Sequence, residues 1–195
     1  MANIIFMDNF DSFTYNIVDD LRTMGHNVEI YRNNLSTDFF MEKLAQTENP
    51  ILFLSPGPCY PKDAGSMLDV IKASIGQYPM IGICLGHQAI IETYGGHIIP
   101  ANDYIHGETS HVEHDGEGMF KNIPNPMSVA RYHSLVGIDI PASLTINGTV
   151  DNMAMAVRDD ENRVMGFQFH PESILTTNGH KLLKQSIEWL EEFYA

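Results

Sequence analysis

The chain has only two cysteines, Cys59 and Cys84, in 195 residues. That is too few for a disulfide framework, and nothing points to an oxidising compartment. No apolar run approaches the ~20 residues that a membrane-spanning helix needs. The first residues, Met1 to Asp8, read as a buried strand, without a basic leader, an apolar stretch or a small-residue cleavage site. A soluble, cytoplasmic protein with no membrane association is therefore expected. Positive charge is scarce as well: eleven Lys plus Arg against twenty-five Asp plus Glu give a formal charge of -14. Such a surface repels a phosphate backbone and argues against nucleic-acid binding. Repeats, low-complexity tracts and linkers are absent, so residues 1–195 are read as one domain.

Hydrophobic residues make up 44% of the chain, and a domain near this size can bury roughly 70% of its unfolded surface. Asn3 to Asp8 has a strand pattern, followed by Ser12 as N-cap of a helix carrying Phe13, Ile17, Leu21 and Met24 on one stripe. Gly25 closes that helix. Val28 to Tyr31 and Ile51 to Leu54 read as strands around a helix from Thr37 to Ala45. A helix near Met67 to Ala73 leads to the strand Met80 to Cys84, then to a helix from about His87 to Tyr94 ended by Gly95-Gly96. This alternation implies an α/β fold with a mostly parallel central sheet between two helical layers. After Gly96 the pattern turns mostly β, with short stretches around Ile98, Val112, Val129, Leu144, Ala154 and Met165. A final amphipathic helix carries Leu183, Ile187, Leu190 and Tyr194.

Chemistry concentrates in two segments. Gly82-Ile83-Cys84-Leu85-Gly86-His87 joins a strand to a helix, the setting of a nucleophile elbow with sulfur as nucleophile. Glycines on either side permit a sharp turn, the helix N-terminus favours thiolate, and the Leu85 amide is aimed at a developing oxyanion. The alternative is a small buried hydrophobe at a strand end. Gly166-Phe167-Gln168-Phe169-His170-Pro171-Glu172 ends another strand pattern with a histidine and a carboxylate. There His170 can serve as general base and then acid, and Glu172 can fix its tautomer; the alternative is a solvated turn.

These segments, with Ser55-Pro56-Gly57-Pro58 and Gln88, resemble the class I, or triad, glutamine amidotransferases, in the family's order and along nearly the whole chain. The resemblance implies that family's three-layer, flavodoxin-like fold and a Cys84, His170, Glu172 triad that hydrolyses L-glutamine through a γ-glutamyl thioester. It further implies that Gln88 and the backbones of Gly57, Ser134 and Leu135 hold glutamine, next to Pro58. The amides of Cys59 and Leu85 would form the oxyanion hole. Without that resemblance, Gln88 reads as a surface residue on the first turn of a helix.

Further segments are similar to one branch of the family: Asp8-Asn9-Phe10-Asp11-Ser12-Phe13-Thr14-Tyr15-Asn16, His106-Gly107, Arg131-Tyr132-His133-Ser134-Leu135-Val136 and Ile174-Leu175-Thr176-Thr177. Members of that branch are the glutaminase subunits (component II) of anthranilate synthase and their near relatives serving aminodeoxychorismate synthase. The implied partner is the larger chorismate-binding synthase chain, anthranilate synthase component I, which makes anthranilate for tryptophan. Supply for 4-amino-4-deoxychorismate in the folate route is the alternative, and a stand-alone γ-glutamyl hydrolase is another. No cofactor or metal is expected in this chain, and a Mg2+ requirement would belong to the synthase.

Two positions depart from the family pattern. Cys59 stands where many members have glycine, so an ordinary backbone conformation is expected there, since a side chain at positive φ costs roughly 1 to 2 kcal/mol. A crosslink between Cys59 and Cys84 under oxidation is conceivable from their neighbouring loops. Glu108 replaces the usual lysine after His-Gly, which bears on partner contacts but not on catalysis. Asp8, Asp11, Asp19 and Asp20 lack a recurring metal-ligand spacing; Asp11 and Ser12 are read as capping a helix, and Asp19 and Asp20 as facing water. His106, His111 and His114 lack a zinc pattern and are assigned to surface or loop positions.

Overall fold

Alternate residues of the first strand enter different cores, and this alternation sets the layers. Residues 1–101 and 107–195 are described by a computed structural model. Strand β1 (Asn3–Asp8) sends Ile4 and Phe6 to one side, against Ile17 and Leu21 of helix α1 (Thr14–Thr23) and Leu183 and Ile187 of helix α5 (Gly179–Glu191). Ile5 and Met7 point the other way. They meet Phe40 of α2 (Thr37–Gln46), Val70 of α3 (Met67–Ser74) and Ile90 of α4 (Leu85–Thr93). The period-two side-chain pattern of a central strand thus produces helix, sheet and helix layers.

The other strands are β2 (Asn27–Arg32), β3 (Pro50–Leu54), β4 (Met80–Ile83), β5 (His97–Pro100), β6 (Glu108–His114), β7 (Met127–Arg131), β8 (Leu135–Ile138), β9 (Thr145–Val150), β10 (Met153–Asp159) and β11 (Val164–Phe167). Eight of them join β1 in a nine-stranded sheet of order β2-β1-β3-β4-β11-β10-β9-β6-β7, and β5 pairs with β8 separately. The expectation of a mostly parallel sheet needs correction. The four pairings from β2 through β11 are parallel, but those linking β11, β10, β9, β6 and β7 are antiparallel. Helices α1 to α3 connect the parallel strands β1 to β4, whereas β9, β10 and β11 follow one another through short turns that reverse the chain.

Ser12 does not cap α1. Phe13 occupies the N-cap position, and the carboxylate of Asp11 accepts the Phe13 backbone N–H at 2.7 Å. Asp8 accepts the N–H of Phe10 and the hydroxyl of Thr14, so the loop after β1 is tied by both aspartates. Asp19 is exposed and Asp20 half-buried. Among the described residues no three His, Cys, Asp or Glu side chains gather as a metal site, and no helix is long and apolar enough to cross a membrane.

Candidate functional site

The strand order 2-1-3-4 begins a flavodoxin-like arrangement, with β11 in the fifth place. In such sheets a crevice opens beyond the carboxyl ends of the strands, where the order reverses on either side of β1. The loops after β1, β3, β4 and β11 deliver, respectively, Asp11 to Phe13, Pro56 and Gly57, Cys84, and His170 to one crevice of about 390 Å³, with Tyr132 as a further wall.

Cys84 sits between β4 and α4 with φ 51° and ψ -99°. A non-glycine residue in this region stores roughly 1 to 3 kcal/mol of backbone strain, held by its surroundings. The flanking glycines do something other than bend the chain. A Cβ on Gly82 would lie 2.4 Å from the Gly86 carbonyl carbon, and one on Gly86 would lie 2.5 Å from the Leu54 carbonyl oxygen. They permit close approach, while Cys84 itself takes the strained turn. Leu85 heads α4, where an amide N–H has no carbonyl four residues back to receive it.

His170 is held from several sides. Its backbone N–H donates to the Ala130 carbonyl at 3.2 Å, and its carbonyl accepts the Thr176 hydroxyl at 2.7 Å. Its ring lies 5.1 Å from that of Phe13 and 5.3 Å from that of Tyr132, centroid to centroid. Nδ1 lies 2.6 Å from Glu172 Oε1, and the Glu172 side chain is wholly buried. Nε2 is buried without a hydrogen bond of ordinary geometry, and so is Glu172 Oε2. Burial opposes charge on the ring, but the Cys84 sulfur and the Glu172 carboxylate outweigh it and raise the His170 pKa to about 10. At neutral pH the imidazole therefore holds a proton beside the Cys84 sulfur.

The remaining predicted positions separate. Gly57 borders the crevice, where a Cβ would meet Asn9 Cβ at 2.7 Å and Leu85 Cδ2 at 2.8 Å. Asn9, buried, anchors that loop by donating from its backbone and side chain to Ser55. Pro58 and Cys59 are exposed, and Leu85, Gln88, Ser134 and Leu135 do not line the crevice. Cys59 departs from the expected ordinary backbone: its φ is 66°, in the left-handed region that glycine occupies without cost. Both cysteines are free thiols, Cys59 exposed and Cys84 buried.

Gln88 is buried, not a surface residue. Its amide nitrogen donates to the Leu135 carbonyl and to Gln168 Oε1, both at 3.1 Å. Leu135 O also lies 3.0 Å from His133 Nδ1; because Arg131 Nε donates to His133 Nε2, the ring proton is on Nδ1 and points at Leu135. Both lone pairs of that carbonyl are thus taken. The Ser134 carbonyl accepts the Ala101 N–H. Burial, reinforced by the Arg131 charge, pushes the His133 pKa down to about 4.

Sequence reasoning misses three site residues. Phe13 reads as part of the α1 stripe, yet it packs on His170. Tyr132 enters only as part of a motif. Gln168 Nε2 donates to Cys84 Sγ at 3.7 Å; the available signal is a lone amide between Phe167 and Phe169 in an otherwise apolar strand. His111 is exposed, as expected, but His114 is buried, stacked on Phe120 and bonded to Pro124 and Gly116. His106 lies outside the described residues.

The glutamine amidotransferase class-I family model matches residues 5–189. The chain is 53% identical to "anthranilate synthase component 2" of Vibrio parahaemolyticus, covering 98% of both chains. It is 52% identical to the protein of that name from Haemophilus influenzae, covering 97% of this chain and 98% of the relative. Among solved structures, a glutamine amidotransferase of Thermotoga maritima superposes with a TM-score of 0.75 at 15% identity, over 98% of each chain. A Thermoplasma acidophilum protein described as a candidate GMP synthase subunit does so with a TM-score of 0.83 at 23% identity, over 100% of this chain and 96% of the other. These two likenesses concern the fold.

Proposed function

Because the chain belongs to the class-I glutamine amidotransferase family, we infer that it hydrolyses L-glutamine and passes the ammonia to a larger chorismate-using synthase, for anthranilate formation in tryptophan biosynthesis. The observation that carries the reading is one crevice shared by Cys84 and His170, with the His170 Nδ1 held 2.6 Å from the buried Glu172 carboxylate. The 52–53% identity to proteins named anthranilate synthase component 2, over nearly the full length, supports the choice of branch.

The chemistry follows from these positions. The Cys84 sulfur attacks the side-chain amide carbon of glutamine, and the Leu85 amide at the head of α4 takes the oxyanion, joined, as the family resemblance implies, by that of Cys59; one such donor is worth roughly 100- to 1000-fold in rate. His170 then gives its proton to the leaving nitrogen, ammonia departs, and a γ-glutamyl thioester remains. Water attacks the thioester as His170 accepts its proton, releasing glutamate and restoring the Cys84 thiolate beside a protonated imidazole. Glu172 keeps the Nδ1 proton in place and balances the ring's charge. The family resemblance assigns Gln88 to glutamine; since both of its N–H bonds serve protein acceptors, its oxygen is the atom left to accept from the substrate's α-ammonium group. Any Mg2+ requirement is assigned to the synthase.

Support for a partner comes from the crevice's surroundings. Phe10, Tyr15, Ile174 and Leu175 are 51%, 64%, 96% and 40% exposed. All four adjoin, in sequence, the segments that carry crevice residues, and exposed apolar side chains so grouped suit a protein interface. Replacing Cys84 by alanine in the complex with the anthranilate-forming synthase should abolish glutamine-dependent synthesis and spare synthesis from added ammonium. Loss of both, or retention of the glutamine-dependent rate, would sink the assignment.

A further inference from the structure

Gln168 has no place in the reaction so far, yet it is a fully buried amide next to the nucleophile. Phe167 at the end of β11 and Phe169 in the bend that follows fill the core layer that holds α1 and α5. Gln168 between them turns the other way and meets Gln88 of α4. A leucine or methionine would fill that space without desolvating an amide, so the polar group needs partners that repay its burial. It has two: Oε1 accepts from Gln88 at 3.1 Å, and Nε2 donates to Cys84 Sγ at 3.7 Å, while the Gln168 backbone N–H is held by the Met155 carbonyl at 2.9 Å.

We propose that Gln168 is a positioning residue for the nucleophile: its amide holds the Cys84 sulfur toward His170, and Gln88 holds Gln168. Cys84 is on a strained turn with a small side chain, so backbone geometry alone leaves its sulfur free to rotate about one bond. The Gln168 N–H favours one of those rotamers, and His170 then meets sulfur at a fixed place. The chain continues outward, because Gln88 is itself fixed by the Leu135 carbonyl at the start of β8. Displacement of Leu135 is thereby transmitted to the sulfur through two amides. Gln88 consequently has two duties, one toward glutamine and one toward Gln168.

This inference rests on Cys84 being the nucleophile, and its test is separable from that premise. Gln168→Met keeps the length and removes the donor; Gln168→Glu keeps the shape and removes the same N–H. Both should lower kcat for glutamine hydrolysis about tenfold, the usual scale for one lost hydrogen bond to a reacting group, with KM little changed. The rate of Cys84 alkylation by iodoacetamide, followed on the Cys84 peptide so that exposed Cys59 does not interfere, should change with them. The effect of Gln88→Met on that alkylation should be largely absent once Gln168 is methionine, because the two act in series. Ammonium-dependent synthesis by the complex should persist in every variant, which shows that fold and docking survive. An unchanged kcat and alkylation rate in Gln168→Met would overturn the proposal, as would equal loss of the glutamine and ammonium reactions. Full glutamine-dependent activity in Cys84→Ala would instead remove the premise.

Discussion

A Cβ on Gly86 would stand 2.5 Å from the carbonyl oxygen of Leu54, so helix α4 rests directly on strand β3. Backbone is on both sides of this contact, and neither can rotate aside as a flexible side chain would. Gly86→Ala should therefore lift the N-terminus of α4, costing about 1 to 3 kcal/mol of stability, the usual range for overpacking. The same displacement moves the Leu85 amide and Cys84, so glutaminase kcat should fall further than the fraction of folded protein. Urea unfolding alongside steady-state kinetics checks both parts. A variant that is destabilised but catalytically intact would mean that this contact serves the fold alone.

Glu172 presents one oxygen to His170 at 2.6 Å and buries the other without a partner. Such an arrangement is tolerable because the imidazolium is adjacent. Glu172→Gln keeps the shape, removes the charge and offers the ring an amide. Glutaminase kcat should drop by about 100-fold or more, in line with loss of an orienting carboxylate from a triad. With its carboxylate partner gone, His170 should deprotonate at lower pH, and the alkaline limb of the rate profile should move down. A rate loss with an unmoved alkaline limb would assign Glu172 to packing.

The legibility of this molecule in its sequence follows from periodicity. The strands and helices up to α4 are readable because apolar residues recur at two- or three-to-four-residue spacing, and Cys84 and His170 because each closes such a run. Strand direction after Gly96 is not readable, since an apolar stretch of four or five residues is the same in either sense. Cys59 defeats the reading for a related reason: φ is a property of the loop, and the cysteine occupies the left-handed region at a cost that composition does not display. Gln88 and Gln168 need three dimensions, because an amide's role depends on which donors and acceptors lie across the fold.

The strain at Cys59, φ 66°, predicts an asymmetric response to substitution. Glycine removes the left-handed penalty of roughly 1 to 2 kcal/mol but loses about 0.5 to 1 kcal/mol through the greater freedom of its unfolded chain. Cys59→Gly should thus be neutral or stabilised by up to about 1.5 kcal/mol. Cys59→Val, β-branched at the same φ, should be destabilised. Thermal unfolding of the pair checks the sign, and a Val variant as stable as Gly would show that this residue is not held at positive φ in solution.

Stability against pH should fall on both sides of neutrality, for opposite reasons. Burial pushes His87 down from 6.5 to about 3, and burial with the Arg131 charge pushes His133 down to about 4. Between those values and 6.5 the unfolded chain binds more protons than the folded one, so acidification below 6.5 removes stability. His170 has the reverse sign: raised from 6.5 to about 10, it contributes stability that is complete below 6.5 and is lost as pH climbs through 10. Urea midpoints should accordingly decline on both limbs. His170→Asn should flatten the alkaline decline while leaving the acid limb in place. His133→Gln should soften the acid limb alone, since an amide there can still accept from Arg131 and donate to Leu135 without taking up a proton. If His170→Asn flattens neither limb, the imidazole is not the proton-holding group that its contacts with Glu172 and Cys84 make it, and the acid step in ammonia release needs another donor.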